Sequence, residues 1–234
     1  MSILTDILEK NGFVKEKARL FDIYYKLLIE WNEKINLTAI TDEKEAAYKH
    51  FIDSVSALDC GLFKENAKII DVGTGAGFPG LPLKIYRSDL SVTLMDSLNK
   101  RINFLNEVIL SLGLKGIETI HARAEELARN KMHREKYDIC VSRAVANLAS
   151  LTELCMPFIK KDGYFIALKG PKATEEVQEA KKAIELLGGE LVEIKNYAID
   201  ETDFEHNLVI IKKVHNTDKK YPRSAPKPIK EPIR

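Results

Sequence analysis

The sequence has few of the features that mark secreted, membrane-spanning or metal-binding proteins. Its three cysteines, Cys60, Cys140 and Cys155, are scattered and form no C-x-x-C pair, so they predict neither a disulfide framework nor a zinc site. No segment approaches the roughly 18 consecutive apolar residues that a membrane helix needs. The acidic residues in MSILTDILEK are not typical of a signal peptide. We therefore expect a cytoplasmic protein with no metal and no membrane partner.

A strong charge imbalance is also missing. The 234 residues include 36 Lys and Arg against 35 Asp and Glu, a formal net charge of +1. Because no overall field attracts a polyanion, any affinity for nucleic acid has to come from local basic patches. The length and the 45% hydrophobic content suit one α/β domain with a small accessory element.

Residues 1–65 are predicted to form a helical extension. Apolar side chains in 20–35 recur at three- and four-residue steps, which is typical of an amphipathic helix. A second helical pattern covers 41–58, with Thr41 as its N-cap and Gly61 available for the left-handed conformation that ends many helices.

Residues 66–214 alternate between short β-rich runs and helical patterns, which predicts a parallel sheet with crossover helices. The last two strands are joined by a loop without a helix, so we expect them to pair antiparallel. The predicted fold class is α/β, with a mostly parallel seven-stranded sheet and one antiparallel strand. The predicted strands are 68–72, 91–95, 117–121, 137–141, 163–168, 190–194 and 208–214, and the predicted helices are 80–86, 99–112, 124–131, 147–159 and 174–187.

Residues 215–234 form the third region. The segment TDKKYPRSAPKPIKEPIR is rich in proline and basic side chains. Since proline lacks a backbone donor and fixes φ, we predict an extended basic arm without sheet or helix.

The segment KIIDVGTGAGFPG, residues 68–80, fits two cofactor loops. From Gly75 it contains G-x-G-x-x-G, the dinucleotide fingerprint. From Asp71 it reads D-x-G-x-G-x-G, the loop of S-adenosylmethionine enzymes. Asp96 follows the next strand and suits a ribose in either case. A tight turn that binds nothing, and Asp96 as a plain helix N-cap, are the structural alternatives.

The chemistry of the two ligands favours S-adenosylmethionine. A pyrophosphate needs free N–H groups at the helix N-terminus, whereas Pro79 and Pro82 remove two of them. S-adenosylmethionine has no phosphate and benefits from an acid such as Asp71 near the loop. Glycine allows a tight turn and a close approach of the backbone to the ligand. The predicted loop contacts are Gly73, Gly75 and Gly77.

Seven segments resemble, in order, the signatures of the small-subunit (16S) ribosomal RNA guanine-N7 methyltransferase G family, formerly called glucose-inhibited division protein B. The resemblance covers nearly the whole chain, and it departs at 224–226, where the family often has a glycine. The segments are WNEKINLTAI, KHFIDSVSAL, DVGTGAGFPGLPLKI, LMDSLNKRINFL, HARAEEL, YDICVSRAVANL and KKYPR.

The resemblance implies a Rossmann-like class I methyltransferase fold and S-adenosyl-L-methionine as cofactor. It also implies that a monomer modifies a guanine in the decoding-region loop of 16S rRNA, within a small ribosomal subunit or an assembly intermediate. The cofactor contacts that it implies are Gly73, Phe78, Asp96, Ala124, Glu125 and Arg143.

Methylation of guanine N7 needs no base, because N7 already carries an unprotonated lone pair. Alignment of the reactants is then the main catalytic requirement. The sequence lacks both the Asn/Asp-Pro-Pro-aromatic tetrapeptide of amino-methylating enzymes and the Pro-Cys nucleophile of cytosine-C5 enzymes. Cys140 falls within a predicted strand.

Two polar groups are candidates for the site. We assign Arg143 a positioning role, in which it holds the cofactor carboxylate or guanine O6; the alternative is a structural ion pair with an acid such as Asp138 or Asp71. His50 and Asp53 are spaced as an i, i+3 pair on one helix face, for which a structural role is favoured.

Scattered cations are predicted to hold RNA phosphates, and simple solvation is the alternative for the tail. Three other functions stay open from the residues alone: a nicotinamide-dependent oxidoreductase, a methyltransferase for another RNA, a small molecule or a protein, and a binding module with a degenerate pocket. The predicted RNA contacts are Lys100, Arg101, Arg123, Lys169, Lys172, Lys219, Lys220 and Arg223.

Overall fold

A mixed β-sheet lies at the centre of the computed structural model, which describes residues 2–143, 146–199 and 205–234. The strands are β1 (Lys68–Val72), β2 (Ser91–Asp96), β3 (Ile117–His121), β4 (Tyr137–Arg143), β5 (Ile159–Lys169), β6 (Gly189–Tyr197) and β7 (His206–Lys213). Within these ranges they form one seven-stranded sheet in the order β3-β2-β1-β4-β5-β7-β6. Strands β1 to β5 pair parallel, and β7 is antiparallel to both of its neighbours. The predicted sheet is confirmed.

Helices cover both faces of this sheet. They are α1 (Ile3–Lys10), α2 (Lys15–Ile35), α3 (Glu43–Ala46), α4 (Asp53–Ser56), α5 (Gly80–Tyr86), α6 (Asn99–Ser111), α7 (Ala124–Leu127), α8 (Leu148–Cys155), α9 (Ala173–Leu186) and α10 (Lys227–Lys230). Helices α1, α2, α5 and α6 pack on one face, and α7, α8 and α9 on the other. In the described ranges we find no helix with the combined length and hydropathy that a bilayer crossing requires.

Strand β1 shows why the central strands could be predicted. Ile69 packs into the core cluster on one face and Ile70 into the cluster on the other, and a strand buried on both faces reads as a continuous apolar run. Strand β5 begins four residues before its predicted start, because its first half carries the exposed polar residues 160–162. The predicted loop 195–207 includes 200–204, which lie outside the described residues.

The N-terminal helices share a core with the sheet. Tyr24 and Phe51 are fully buried, and their rings pack against Phe78 in the glycine-rich loop. The Tyr24 hydroxyl also donates to the backbone oxygen of Ala76. Burial of one large aromatic side chain contributes about 2 kcal/mol, so these contacts fix the extension directly onto the loop.

The second predicted helix differs in start and in form. It begins after Asp42, whose carboxylate accepts from the N–H of Glu45 at 2.8 Å, so the prediction of Thr41 as N-cap is wrong. Residues Ala47–Ile52 form a π-helix between α3 and α4, and the segment ends, as predicted, at left-handed Gly61. A π-turn shifts the phase of the helix, and such turns are frequent at functional sites.

The C-terminal tail packs on the face that carries α8, and the prediction of an arm without helix is wrong for the turn α10. Arg134 donates to the backbone oxygens of Tyr221 (2.9 Å) and Thr217 (2.8 Å). The fully buried carboxylate of Glu153 pairs with Arg223 at 2.7 Å. Removal of one partner of a buried ion pair is costly, so this pair ties the tail to the core.

Lys213 is the last residue of β7, just before the tail, and is fully buried. Its ammonium donates to the backbone oxygen of Met156 at 2.7 Å and to the Thr217 hydroxyl. Burial lowers the pKa of Lys213 to about 8. This lysine therefore stabilises the connection between β7 and the tail. From its residue type alone, it would be expected on a basic surface.

Candidate active site

The glycine-rich segment forms a tight loop between β1 and α5. Gly73, Gly75 and Gly77 have φ values of 71°, 61° and 103°, a region that other residues rarely adopt. At Gly77 the requirement is also steric, because a Cβ would lie 2.6 Å from the Tyr24 hydroxyl oxygen. The loop conformation thus depends on glycine and on contact with α2.

Asp71 lies beneath this loop and is fully buried. Its Oδ2 accepts from the Thr74 hydroxyl at 2.7 Å and from the N–H of Gly80, the first residue of α5, at 2.8 Å. Its Oδ1 has no hydrogen-bond partner among the described residues. Burial raises the pKa of Asp71 to about 7, although these hydrogen bonds act in the opposite direction. Asp71 therefore supports the loop, and its predicted contact with the cofactor stays a prediction.

Asp96 ends β2 beside the loop, and its side chain is 2% exposed. Its carboxylate accepts from the N–H groups of Gly75 (3.0 Å) and Leu98 (2.9 Å) and from Arg101 Nη1 (3.2 Å). Arg101, which is predicted to bind RNA, thus forms an ion pair with Asp96, which is predicted to bind the ribose.

A cleft of about 420 Å³ opens over the loop, and we call it the glycine-loop cleft. Phe78 contributes one wall. The centroid of its buried ring lies 4.4 Å from that of the stacked His50 ring and 4.8 Å from the Cζ atom of Arg143. The N-terminal extension therefore contributes part of the cleft. The lining residues are Leu37, Thr38, His50, Gly73, Thr74, Gly75, Ala76, Phe78, Asp96, Ser97, Arg101 and Arg143.

Arg143, at the end of β4, is held by several partners at once. Its Nη1 donates to Asp53 Oδ2 at 2.7 Å and to the Lys49 backbone oxygen at 2.9 Å. Its Nη2 lies 3.3 Å from His50 Nδ1. The alternative of an ion pair with an acid is therefore present in the structure, with Asp53 as the partner in place of Asp138 or Asp71. The positioning role stays a prediction.

Asp53 contacts residues that lie far from it in the sequence. Its Oδ1 accepts from the Tyr197 hydroxyl at 2.7 Å and lies 2.9 Å from His206 Nδ1. Burial alone raises the pKa of Asp53, but hydrogen bonds from His206, Tyr197 and Arg143 and the charge of Arg143 bring it below its usual value. Asp53 is therefore an anion that fixes the orientation of Arg143.

His50 is held as a neutral ring. Its Nδ1 lies 3.3 Å from both Arg143 Nη2 and the Lys49 backbone oxygen, and its Nε2 lies 2.9 Å from the Thr38 hydroxyl oxygen. Burial and the charge of Arg143 lower the pKa of His50 to about 3. The expected His50–Asp53 pair is thus bridged by Arg143.

A second cavity of about 670 Å³ adjoins the first at Arg143, and we call it the outer cavity. Besides Arg143 it is lined by residues that include Lys49, Asp53, Asn147, Lys169 and His206. Lys169, another predicted RNA contact, is nearly buried and pairs with Glu176 at 2.7 Å. Two cavities that share one fixed arginine can hold two ligands side by side.

The other predicted residues lie around this centre. Ala124 and Glu125 are buried at the start of α7, close to Asp96 because the N–H of Ala122 donates to the Asp96 backbone oxygen at 3.1 Å. Arg223 lies in the pair with Glu153. Sequence analysis missed Tyr197 and His206, since no local pattern marks their contacts with Asp53. The exposed predicted cations are Lys100, Arg123, Lys172, Lys219 and Lys220.

Comparison with known proteins identifies the family. Residues 17–209 match the family rRNA small subunit methyltransferase G. The chain belongs to this family. Ribosomal RNA small subunit methyltransferase G of Clostridium perfringens is 55% identical over 95% of this chain and 93% of its own length. The enzyme of that name from Lachnoclostridium phytofermentans is 56% identical over 94% and 90%.

Solved structures of low sequence identity share the fold. A SAM-dependent O-methyltransferase from Thermotoga maritima superposes with a TM-score of 0.53 at 18% identity, over 82% of this chain and 72% of that one. M. jannaschii TYW2 in complex with AdoMet gives 0.53 at 18% identity, over 69% and 77%. The predicted methyltransferase fold is confirmed.

Membership of the methyltransferase G family confirms S-adenosylmethionine as the cofactor and excludes the oxidoreductase alternative. The residues present fit this ligand. The glycine-loop cleft offers exposed loop backbone and the Asp96 carboxylate, which suits ribose hydroxyls. The N–H of Gly80 at the start of α5 is already engaged by Asp71, so a pyrophosphate would meet a carboxylate where it needs donors.

Proposed function

We propose that this member of the methyltransferase G family methylates N7 of a guanine in the decoding-region loop of 16S rRNA. One observation carries the proposal: Arg143, fixed by buried Asp53, lines both the glycine-loop cleft and the outer cavity. We assign the glycine-loop cleft to the cofactor and the outer cavity to the target nucleotide. The protein would act as a cytoplasmic monomer on a ribosomal particle.

The cofactor would be held by the loop backbone at Gly73 and Gly75, by Phe78, and by Asp96 on the ribose. When bound, S-adenosylmethionine supplies an electrophilic methyl group on its sulfonium. Ala124 and Glu125 lie on the adenine side of Asp96 in this assignment. Each of these residues lies at or after the carboxyl end of a strand, where ligands bind in open α/β sheets.

Arg143 can position a ligand because donors remain to it. A guanidinium has five N–H groups, and three are engaged by Asp53, Lys49 and His50. We assign the other two to the cofactor carboxylate or to guanine O6. Since the guanidinium is already fixed, little orientational entropy is lost when the reactants meet.

The chemistry of the site supports attack by a lone pair without a base. His50, with its lowered pKa, is a poor proton acceptor at neutral pH. Cys140 is fully buried, and burial raises the pKa of its thiol well above the usual value, which argues against a thiolate nucleophile. Direct displacement at guanine N7 needs neither group.

The decisive test is transfer of tritiated methyl from S-adenosylmethionine to purified small subunits that lack the modification. Chain cleavage at N7-methylguanine then maps the product. We expect one labelled guanine in the 16S decoding-region loop. Label at a cytosine or an exocyclic amine, or label only in an RNA other than 16S, would contradict the proposal. Free 16S rRNA and assembly intermediates, assayed in parallel, identify the particle that is methylated.

Exposed lysines of the tail are expected to hold RNA phosphates. Deletion of the tail would uncover Glu153 and Arg134, so substitution is the cleaner test. Loss of each phosphate contact should reduce the slope of log Kd against log salt by about 0.7 to 0.9. A slope unchanged from wild type would mean that the lysines are only solvated. The test variant replaces Lys219, Lys220, Lys227 and Lys230 with Gln, and the charge-matched control replaces the exposed Lys10, Lys15, Lys64 and Lys115.

A further inference from the structure

The carboxylate of Asp96 already has three donors. Oδ1 accepts from the N–H of Leu98, and Oδ2 accepts from both the N–H of Gly75 and Nη1 of Arg101. An ionised carboxylate offers about four acceptor positions, two on each oxygen. Described residues therefore fill both positions on Oδ2 and one on Oδ1.

A ribose diol that binds a carboxylate through both hydroxyls needs one position on each oxygen. Oδ2 can provide it only if Gly75 or Arg101 withdraws. Gly75 belongs to a fixed loop, in which the N–H groups of Gly73 and Thr74 both donate to the Met95 backbone oxygen at 3.0 Å. Arg101 is a long side chain, 34% exposed, and makes the longest of the three bonds at 3.2 Å. Arg101 is therefore the donor that withdraws.

We propose that Asp96 exchanges Arg101 for the cofactor ribose, and that the released Arg101 guanidinium then binds a phosphate of the RNA substrate. The second half rests on the proposed function. Arg101 lies in the first turn of α6, beside the exposed Lys100, and it lines the glycine-loop cleft. A guanidinium is a bidentate phosphate ligand. Arg101 thus becomes available to RNA only after the cofactor is in place.

Charge favours the same exchange. Arg101 and Arg143 both line the glycine-loop cleft, and S-adenosylmethionine carries two positive groups and one carboxylate. When Arg101 withdraws, its positive charge moves away from the cationic cofactor, and the Asp96 carboxylate remains beside that cofactor. Because coupling between two sites is reciprocal, cofactor and RNA should each tighten the binding of the other.

The first experiment tests the exchange without RNA. Calorimetric titration of the purified chain with S-adenosylhomocysteine compares wild type, Arg101→Gln and the neighbouring control Lys100→Gln. We expect several-fold tighter binding for Arg101→Gln, because its competing cation is gone, and wild-type affinity for Lys100→Gln. Unchanged or weaker binding by Arg101→Gln would overturn the exchange. Circular dichroism confirms that each variant is folded.

The second experiment measures binding of unmethylated small subunits with and without S-adenosylhomocysteine. In wild type, S-adenosylhomocysteine should increase the affinity for the small subunit about fivefold or more. In Arg101→Gln this effect should vanish, whereas Lys100→Gln should keep it at lower overall affinity. Persistent coupling in Arg101→Gln would overturn the phosphate role. If the wild-type chain neither binds nor methylates these particles, the proposed function fails, while the calorimetry still decides the exchange on Asp96.

Discussion

Arg143→Ala is expected to lower the single-turnover methylation rate by about a hundredfold or more, because a small loss of alignment at a reacting centre has effects of this size. It should also destabilise the fold by about 3 kcal/mol, since the buried Asp53 carboxylate loses its cationic partner. Tyr197 and His206 still contact Asp53, so we expect the variant to fold. Rapid-quench methylation and urea unfolding measure the two effects.

Two further variants separate alignment from charge. Arg143→Lys keeps a cation for Asp53 but loses the fork that also reaches Lys49 and His50, so stability should largely return while the rate stays low. Arg87→Ala removes an arginine that binds Asp89 through two hydrogen bonds of 2.7 Å and lines neither cavity, so we expect a loss of stability without a change in rate. A wild-type rate in a folded Arg143→Ala variant would refute the positioning role.

Asp71→Asn is expected to stabilise the protein increasingly as pH rises from about 4 to 7. The pKa of Asp71 is raised in the folded state to about 7, against a usual value of 3.8. Between these values the folded chain binds a proton that the unfolded chain does not, so wild type loses stability as pH rises. The change is on the order of 4 kcal/mol. The substituted amide does not titrate, and its oxygen can still accept from the N–H of Gly80.

Urea unfolding at several pH values between 4.5 and 7.5 measures this difference. Asp138→Asn is the matched control, because Lys160 and the N–H of Lys68 hold the pKa of Asp138 below its usual value despite partial burial. The contribution of Asp138 is complete above pH 4 and is lost only below it, so its difference from wild type should be flat in this window. A flat difference for Asp71→Asn would show that its carboxylate is ionised when folded.

Local patterns were enough to predict most of the fold. The apolar run at Ile69 and Ile70 predicted β1, and the glycine spacing predicted the loop that follows it. The π-helix could not be predicted, because the apolar spacing continues through 47–52 whichever helix type forms. The packed tail was missed for a related reason: its partners, Glu153 and Arg134, look like ordinary surface residues until the fold buries or aligns them.

The site was predictable where it follows strand ends and hidden where it depends on distant contacts. Asp96, Phe78 and Arg143 lie in the cleft because each lies at or after the carboxyl end of a strand of the parallel sheet. The partner of Arg143 comes from a helix 90 residues earlier in the chain, a distance over which spacing gives no information. Residue type alone also gave no sign of the ion pairs that Arg101 and Lys169 form with Asp96 and Glu176.

The long-range contacts of Asp53 affect how the protein is made. Tyr197 follows Asp53 by 144 residues, which a ribosome needs about 7 to 29 s to add at about 5 to 20 residues per second. During that interval Asp53, which is buried in the folded protein, lacks its hydrogen bond from Tyr197. We infer that Asp53 acquires its full set of partners only after the last two strands have emerged.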